Sequence, residues 1–265
     1  DRHLAWQRRL SLLATAAAIP LAILLLVTTV DSGYRTYVLG HWPAPFGIVL
    51  VLDRLSALMV LLAAVVALPA LWSAIGADTD RQGRYFHPLF QFQLMGLNGA
   101  FLTGDLFNLF VFFEILLIAS YSLLLHGGGR ERIRAGLHYV ILNLTGSALF
   151  LIAIGVLYGL TGTLNLAELA VRVAHASAAD AGLIRAGALL LLVVFGLKAA
   201  LLPLHAWLPA AYANTGAPIA ALFALLTKVG VYSIIRVFTL AFGSTAGLAA
   251  DIAAPWLLPL GLATL

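Results

Sequence analysis

The chain of 265 residues has no cysteine. This absence excludes disulfide bridges, thiolate metal sites and cysteine nucleophiles. The sequence also has no Ser-His-Asp cluster, no phosphate-binding glycine loop and no His/Glu metal motif. We therefore expect no cofactor, no bound metal and no enzymatic site of these kinds.

Charge is also scarce. Charged residues form 10% of the chain, against about 25% in a soluble domain. Hydrophobic residues form 62%, and the mean hydropathy is +1.02. Many apolar runs are about 20 residues long, which predicts membrane-spanning helices rather than the shorter strands of a barrel. The net charge of +4 does not indicate nucleic-acid binding, because the arginines fall in loops as they do in membrane proteins.

These runs predict an all-α, multi-pass membrane protein. We place seven full spans and a truncated eighth, with the less apolar segment 161–182 forming a short helix at the membrane interface. The spans are 10–30, 47–72, 86–103, 106–125, 137–160, 184–208, 217–241 and 252 onward. The whole of 1–265 is then one transmembrane domain, and we expect it to be a fragment of a longer protein.

The arginines predict the orientation of these spans. Alternate connections hold eight arginines against four in the others, which places the arginine-rich connections in the cytoplasm. The richer set is Arg2, Arg8, Arg9, Arg81, Arg84, Arg130, Arg132 and Arg134; the poorer is Arg35, Arg54, Arg172 and Arg185.

Only two lysines occur, Lys198 and Lys228, and both lie inside apolar runs. A third apolar run carries one carboxylate, Glu114. Ionisable groups at this depth cost a few kcal/mol or more each and are usually retained for a function. One acid and two amines therefore predict a proton or ion path.

Pro203 follows Lys198 by five residues. Proline removes a helical hydrogen bond, so we expect the sixth span to break just past Lys198. Broken helices at membrane depth face protein or a polar cavity, and transporters use them at ion sites. The alternative is a packing kink without transport function.

Each member of the acid–amine set has two interpretations. Glu114 is the natural partner for Lys198, either as a switch that loads and releases a proton or as a static ion pair. Lys228 is flanked by apolar residues on both sides. Because burial disfavours a charged amine, this lysine is either a proton carrier or a structural group bonded to helix carbonyls.

His205 lies two turns beyond Lys198 and is suited to proton relay, so it joins Glu114, Lys198 and Lys228 in the predicted proton-transfer set. Weaker candidates are Pro203, His138, Asn108, Asn143 and Thr227, and His138 lies near the start of the fifth span. Asn108, Asn143 and Thr227 either bridge water along the path or bond across helices.

Three segments carry a family resemblance. Residues 104–121, 197–209 and 225–236 resemble the fifth, seventh and eighth helices of the D subunit of Mrp-type (also called Pha or Mnh) cation/proton antiporters. Residues 138–150 and 157–165 fit the intervening helix and loop. The wider family includes the antiporter-like subunits of respiratory complex I.

The resemblance implies a fold of inverted five-helix repeats, each with a broken helix. Residues 86–241 would be the first repeat, 1–85 the preceding helices and 250–265 the truncated start of the second repeat. It implies that the family's glutamate is Glu114, its broken-helix lysine Lys198 and its central lysine Lys228. It also implies that other subunits are needed, so we expect the isolated chain to be inert.

Three functions follow as hypotheses. The first is the proton-translocating subunit of a multisubunit Na⁺/proton antiporter in the bacterial inner membrane, a transporter component and not an enzyme. The second is a proton-pumping subunit of a complex I-like oxidoreductase or membrane hydrogenase. The third is a membrane scaffold whose charges only lock helices together.

Overall fold

The computed structural model describes residues 2–265, and the side chains of Arg2 and Ser32 are outside the description. Asp1, the first residue of the predicted domain, and the Arg2 side chain counted for orientation thus lie outside the described residues. The elements in chain order are α1 Arg2–Ser32, β1 Arg35–Val38, β2 Val49–Leu52, α2 Arg54–Gly76, α3 Phe86–Leu102, α4 Leu106–Leu124, α5 Arg130–Thr161, α6 Leu166–Ala174, α7 Ala178–Ala199, α8 Trp207–Ala213, α9 Ala217–Leu240 and α10 Ala254–Thr264.

The predicted all-α membrane architecture is confirmed. Seven helical segments of the described chain are long and apolar enough to cross a membrane, and the interrupted segment Ala178–Ala213 is one of them. They are not the seven predicted full spans: α3, predicted as a span over 86–103, has only 17 residues and is not among them, whereas Gly247–Thr264, predicted as a truncated span, is. The short helix predicted within 161–182 is α6. Antiparallel neighbours α3 and α4 form a hairpin, while α7 packs between α5 and α9.

The start of the second predicted span is wrong. Residues 49–52 form a strand that pairs antiparallel with β1, with Val38 opposite Val49. The helix begins only at Arg54, because the Asp53 side chain accepts a hydrogen bond from the Ser56 amide and caps it. An apolar run of four residues has no periodicity that separates a strand from the first turn of a helix.

Two other boundaries differ for a common reason. Helix α1 extends beyond the predicted 10–30, and α5 begins seven residues before the predicted 137. Their added turns carry arginines, which continue a helix into water after the apolar run that marks the span has ended. The apolar run therefore marks the membrane crossing, not the helix.

The predicted break after Lys198 is confirmed. Helix α7 ends at Ala199, and Ala200 adopts the left-handed conformation with φ 56°. A single turn, Leu204–Ala206, then leads into α8. The chain leaves the helix three residues before Pro203, since the residue before a proline avoids the helical conformation.

A close approach between α9 and α7 fixes the position of the break. Gly230 of α9 lies against the backbone of Lys198 and Ala199. A Cβ at Gly230 would lie 2.4 Å from the Ala199 nitrogen and 2.7 Å from the Lys198 carbonyl carbon. These are backbone atoms, so the contact has no flexible side chain that can move aside.

We therefore expect Gly230→Ala to destabilise the protein by about 1–3 kcal/mol, the usual cost of overpacking. Gly155→Ala is the matched control, because a Cβ at Gly155 meets nothing within 4 Å. That control should be neutral or stabilising by up to about 1 kcal/mol. Thermal unfolding of the full-length protein in detergent measures both, and equal stability of the two variants would contradict this packing of α9 on α7.

Candidate functional site

Lys198 lies in the last turn of α7, and its side chain is buried, at 3% exposure. Its Nζ donates to the Asn143 carbonyl at 3.2 Å, to Asn143 Oδ1 at 3.3 Å and to Ser147 Oγ at 3.5 Å. An ammonium group has three donors, and α5 supplies three acceptors. Asn143 and Ser147 are four residues apart and so share one face of α5.

Glu114 reaches this group from α4. The Ser147 hydroxyl donates to Glu114 Oε1, so one side chain bonds both to the acid and to the amine. Among the ion pairs of the described residues, none joins Glu114 to Lys198 directly. The partner predicted for Lys198 is therefore near it, but the contact runs through Ser147.

Aromatic rings enclose the Glu114–Ser147–Lys198 group. The Phe113 ring centre lies 5.9 Å from Lys198 Nζ, within reach of a cation–π contact. Trp207 of α8 is buried, and its indole nitrogen donates to the Leu197 carbonyl at 2.9 Å. The same carbonyl accepts from the Ala200 amide at 3.2 Å at the end of α7, so the Trp207 bond is a second contact that joins the two halves of the broken helix.

Lys228 does not join this group. It is exposed on α9, and its Nζ contacts the hydroxyl of the adjacent Thr227 at 3.4 Å. Gly230 and Val229 occupy the face of α9 that packs on the bundle, which turns Lys228 outward beside exposed Val231. The apolar run predicts that Lys228 lies at membrane depth, and the described part of the chain leaves it uncovered there.

The remaining candidates, His205 and the weaker set, lie in different parts of the structure. Asn143 belongs to the lysine site. His205 lies in the break with Nδ1 buried and unpartnered among the described residues, but no hydrogen bond places it at Lys198. The other candidates lie away from the lysine site. Asn108 donates to Thr103 at the hairpin end, and Thr227 donates to the carbonyl of Ala224. His138 and Pro203 are exposed.

Sequence reasoning missed Ser147, the bridging residue. Its only signal is its position four residues after Asn143, on the same face of a helix next to Gly146. A Cβ at Gly146 would lie 2.5 Å from Leu197 Cδ2 and 3.7 Å from Lys198 Nζ. Gly146 therefore lets α7 approach α5 closely enough for Lys198 to reach both acceptors.

Sequence reasoning also missed two polar clusters at the ends of the bundle. At the end nearest the hairpin, Arg236 of α9 pairs with both Asp53 carboxylate oxygens and donates to Tyr232. A cavity of about 890 Å³ opens beside this pair. At the opposite end, Arg8 binds both oxygens of buried Asp80, which also contacts His87 Nε2 at 3.1 Å.

The Asp53–Arg236 pair is strongly held. Burial raises the pKa of Asp53, but hydrogen bonds from Arg236 and Ser56 outweigh it and lower that pKa to about 2. A depressed carboxyl pKa means that the pair contributes its full stability above about pH 4. That contribution is lost only as the pH falls toward 2.

The fold is that of a multi-pass helical membrane protein with a broken helix and a buried lysine, and the similarity to known proteins identifies the family. The family model described as "NADH:quinone oxidoreductase/Mrp antiporter, TM" matches residues 103–264. The chain belongs to this family.

Two relatives show the degree of similarity. The D subunit of a "Probable K(+)/H(+) antiporter" of Rhizobium meliloti is 53% identical over 88% of this chain and 43% of its own length. The D subunit of a "Na(+)/H(+) antiporter" of Bacillus subtilis is 46% identical over 91% of this chain and 49% of its own length. The chain thus spans about half the length of these relatives.

Solved structures agree with this assignment. A chain of the Mrp complex from Dietzia sp. DQ12-45-1b matches with a TM-score of 0.78 and 33% identity, over 90% of this chain and 45% of that one. A chain of an archaeal membrane-bound sulfane sulfur reductase matches with a TM-score of 0.84 and 29% identity, over 97% and 51%. A chain of respiratory complex I from Thermus thermophilus matches with a TM-score of 0.72 and 29% identity, over 88% of this chain and 49% of that one.

Asp53→Asn tests the ion pair at the hairpin end. Asparagine still caps α2 but leaves Arg236 without its counter-charge, so we expect a loss of about 1–3 kcal/mol. The loss should be constant from pH 5 to 8, because the Asp53 pKa is about 2. Thermal unfolding of the full-length protein at several pH values measures it.

The control for Asp53→Asn is Glu168→Gln, which removes the carboxylate of an exposed ion pair with Arg172. Exposed pairs contribute about 0–1 kcal/mol, so this variant should stay close to wild type. A loss from Asp53→Asn no larger than that of the control would contradict the role given to the pair.

Proposed function

We propose that this chain is part of the proton-translocating subunit of a multisubunit Na⁺ or K⁺/proton antiporter. The observation that carries the proposal is the Glu114–Ser147–Lys198 group at the helix break. A titratable acid and a buried amine share one hydroxyl there, inside an apolar bundle. The antiporter subunits among the relatives supply the class of reaction, and their cargoes differ between K⁺ and Na⁺.

In this proposal Lys198 and Glu114 hold and release protons, and His205 and Lys228 continue the path on either side. His205 lies after the break, on the side of the bundle that carries the arginine-rich connections. On that side α8 leads to Asn214, whose carbonyl accepts a hydrogen bond from Arg132. Lys228 extends toward the outside of the described bundle. The relatives are about twice as long as this chain. In a full-length protein of that size, further residues would be available to cover the face that carries Lys228.

The wider arrangement is also part of the proposal. Residues 86–241 form the first of two repeats, and 250–265 begin the second. The complete protein works in the inner membrane of a bacterium with other subunits of the antiporter. The Mrp complex among the structural neighbours supports a multisubunit assembly.

A proton-pumping subunit of a respiratory complex is the second candidate. The similarity to chains of the sulfane sulfur reductase and complex I favours it. Proteins that co-purify with the full-length chain separate the two: small membrane antiporter subunits support the first function, and iron–sulfur subunits support the second.

Glu114→Gln and Lys198→Ala, in the full-length protein of the assembled complex, test the function directly. Each should lower cation/proton exchange in everted membrane vesicles by roughly 100-fold or more, because each removes a proton-transfer group. Lys228→Ala should do the same if Lys228 continues the path. Glu168→Gln, which alters only the surface ion pair with Arg172 on α6, should exchange at the wild-type rate.

A scaffold makes a different prediction. If the charges only lock helices, replacing Glu114 and Lys198 together by a neutral hydrogen-bonding pair, glutamine at both positions, should restore exchange. Full exchange in that double variant, with normal assembly, would refute the transport role.

A further inference from the structure

We propose that the Ser147 hydroxyl passes a proton between Lys198 and Glu114. The proposal rests on the proposed function and names a residue that nothing in the family resemblance assigned. Ser147 is nearly fully buried, at 6% exposure. It is the group through which the acid and the amine are connected in the described part of the chain.

The directions of the two hydrogen bonds suit a relay. Ser147 donates its hydroxyl proton to Glu114 Oε1 and accepts from Lys198 Nζ. As the hydroxyl proton moves to the carboxylate, a proton of the ammonium moves to Oγ. One N–H and one O–H bond break, and two O–H bonds form. Ser147 is a hydroxyl before and after the step, while Lys198 and Glu114 become neutral.

The neighbouring polar group does not offer the same route. Asn143 accepts from Lys198 through its carbonyl and Oδ1, but its amide nitrogen donates to the Tyr139 carbonyl at 3.0 Å. A neutral amide does not exchange protons as a hydroxyl does, and Asn143 has no bond to Glu114 in the described residues. Asn143 therefore positions the amine, and Ser147 connects it to the acid.

The apolar surroundings make the step accessible. In water an amine holds its proton far more tightly than a carboxylate does. The transfer removes two opposite charges, and an apolar environment disfavours separated charges more than water does, so the transfer is opposed less here than in water. The Phe113 ring centre lies 5.9 Å from Lys198 Nζ, so part of the surroundings of the group is apolar.

Ser147→Val and Ser147→Thr provide a matched test in the full-length protein of the assembled complex. Threonine and valine have nearly the same shape, but only threonine keeps the hydroxyl, and the valine methyl group also keeps water out of its place. We expect Ser147→Thr to retain most cation/proton exchange. Ser147→Val should lower it by roughly 100-fold.

Thr145→Val is the control for replacing a hydroxyl group by a methyl group. Thr145 lies two residues earlier on α5, is exposed and bonds only to the Ile141 carbonyl, so this variant should behave as wild type. If either Ser147 variant fails to assemble, Ser147→Ala replaces the pair, and its exchange should fall well below that of Thr145→Val.

The outcomes separate this inference from the proposed function. Equal exchange by Ser147→Val and Ser147→Thr, with Glu114→Gln inactive, would overturn the hydroxyl relay alone. Normal exchange by Glu114→Gln and Lys198→Ala would overturn the proposed function itself. A large difference between valine and threonine at position 147, beside inactive Glu114→Gln, supports both.

Discussion

The structure depends on one constraint: a charged amine within an apolar bundle needs an acceptor for each of its N–H groups. Asn143 and Ser147 of α5 provide them. The close contact at Gly146 brings α5 near enough to α7 for these hydrogen bonds to form. The close contact at Gly230 packs α9 against the end of α7. The break follows at Ala200, and Trp207 donates to the Leu197 carbonyl, which also accepts from the Ala200 amide.

Each end of the bundle carries an ion pair between opposite charges. Arg236 and Asp53 join α9 to α2 at the hairpin end, and Arg8 and Asp80 join α1 to the α2–α3 connection at the other. Both are two-point contacts, which fix geometry well. Between them the acid and the amine share a single hydroxyl. In the proposed function, the two ion pairs keep the helices in place while the protonation state between them changes.

The sequence predicts the fold well, since apolar runs and their flanking arginines report the membrane crossings directly. Pro203 also predicts the break, and the rarity of lysine and intramembrane carboxylates singles out Lys198 and Glu114. Ser147 was not predictable in the same way, because serine is common in membrane helices and only the packing of α5 on α7 shows its two partners. The outward direction of Lys228 was hidden for a related reason: an apolar run shows depth in the membrane but not which face of α9 meets the bundle.

We propose that Glu114, Ser147 and Lys198 form one connected proton-transfer group within this antiporter family fold. Infrared difference spectroscopy of the full-length complex measures the connection through the band of a protonated carboxyl group. We expect one such band to vanish in Glu114→Gln and to shift in frequency in Ser147→Val, because that variant removes the hydroxyl that donates to Glu114 Oε1. An unchanged Glu114 band in Ser147→Val would contradict the proposal.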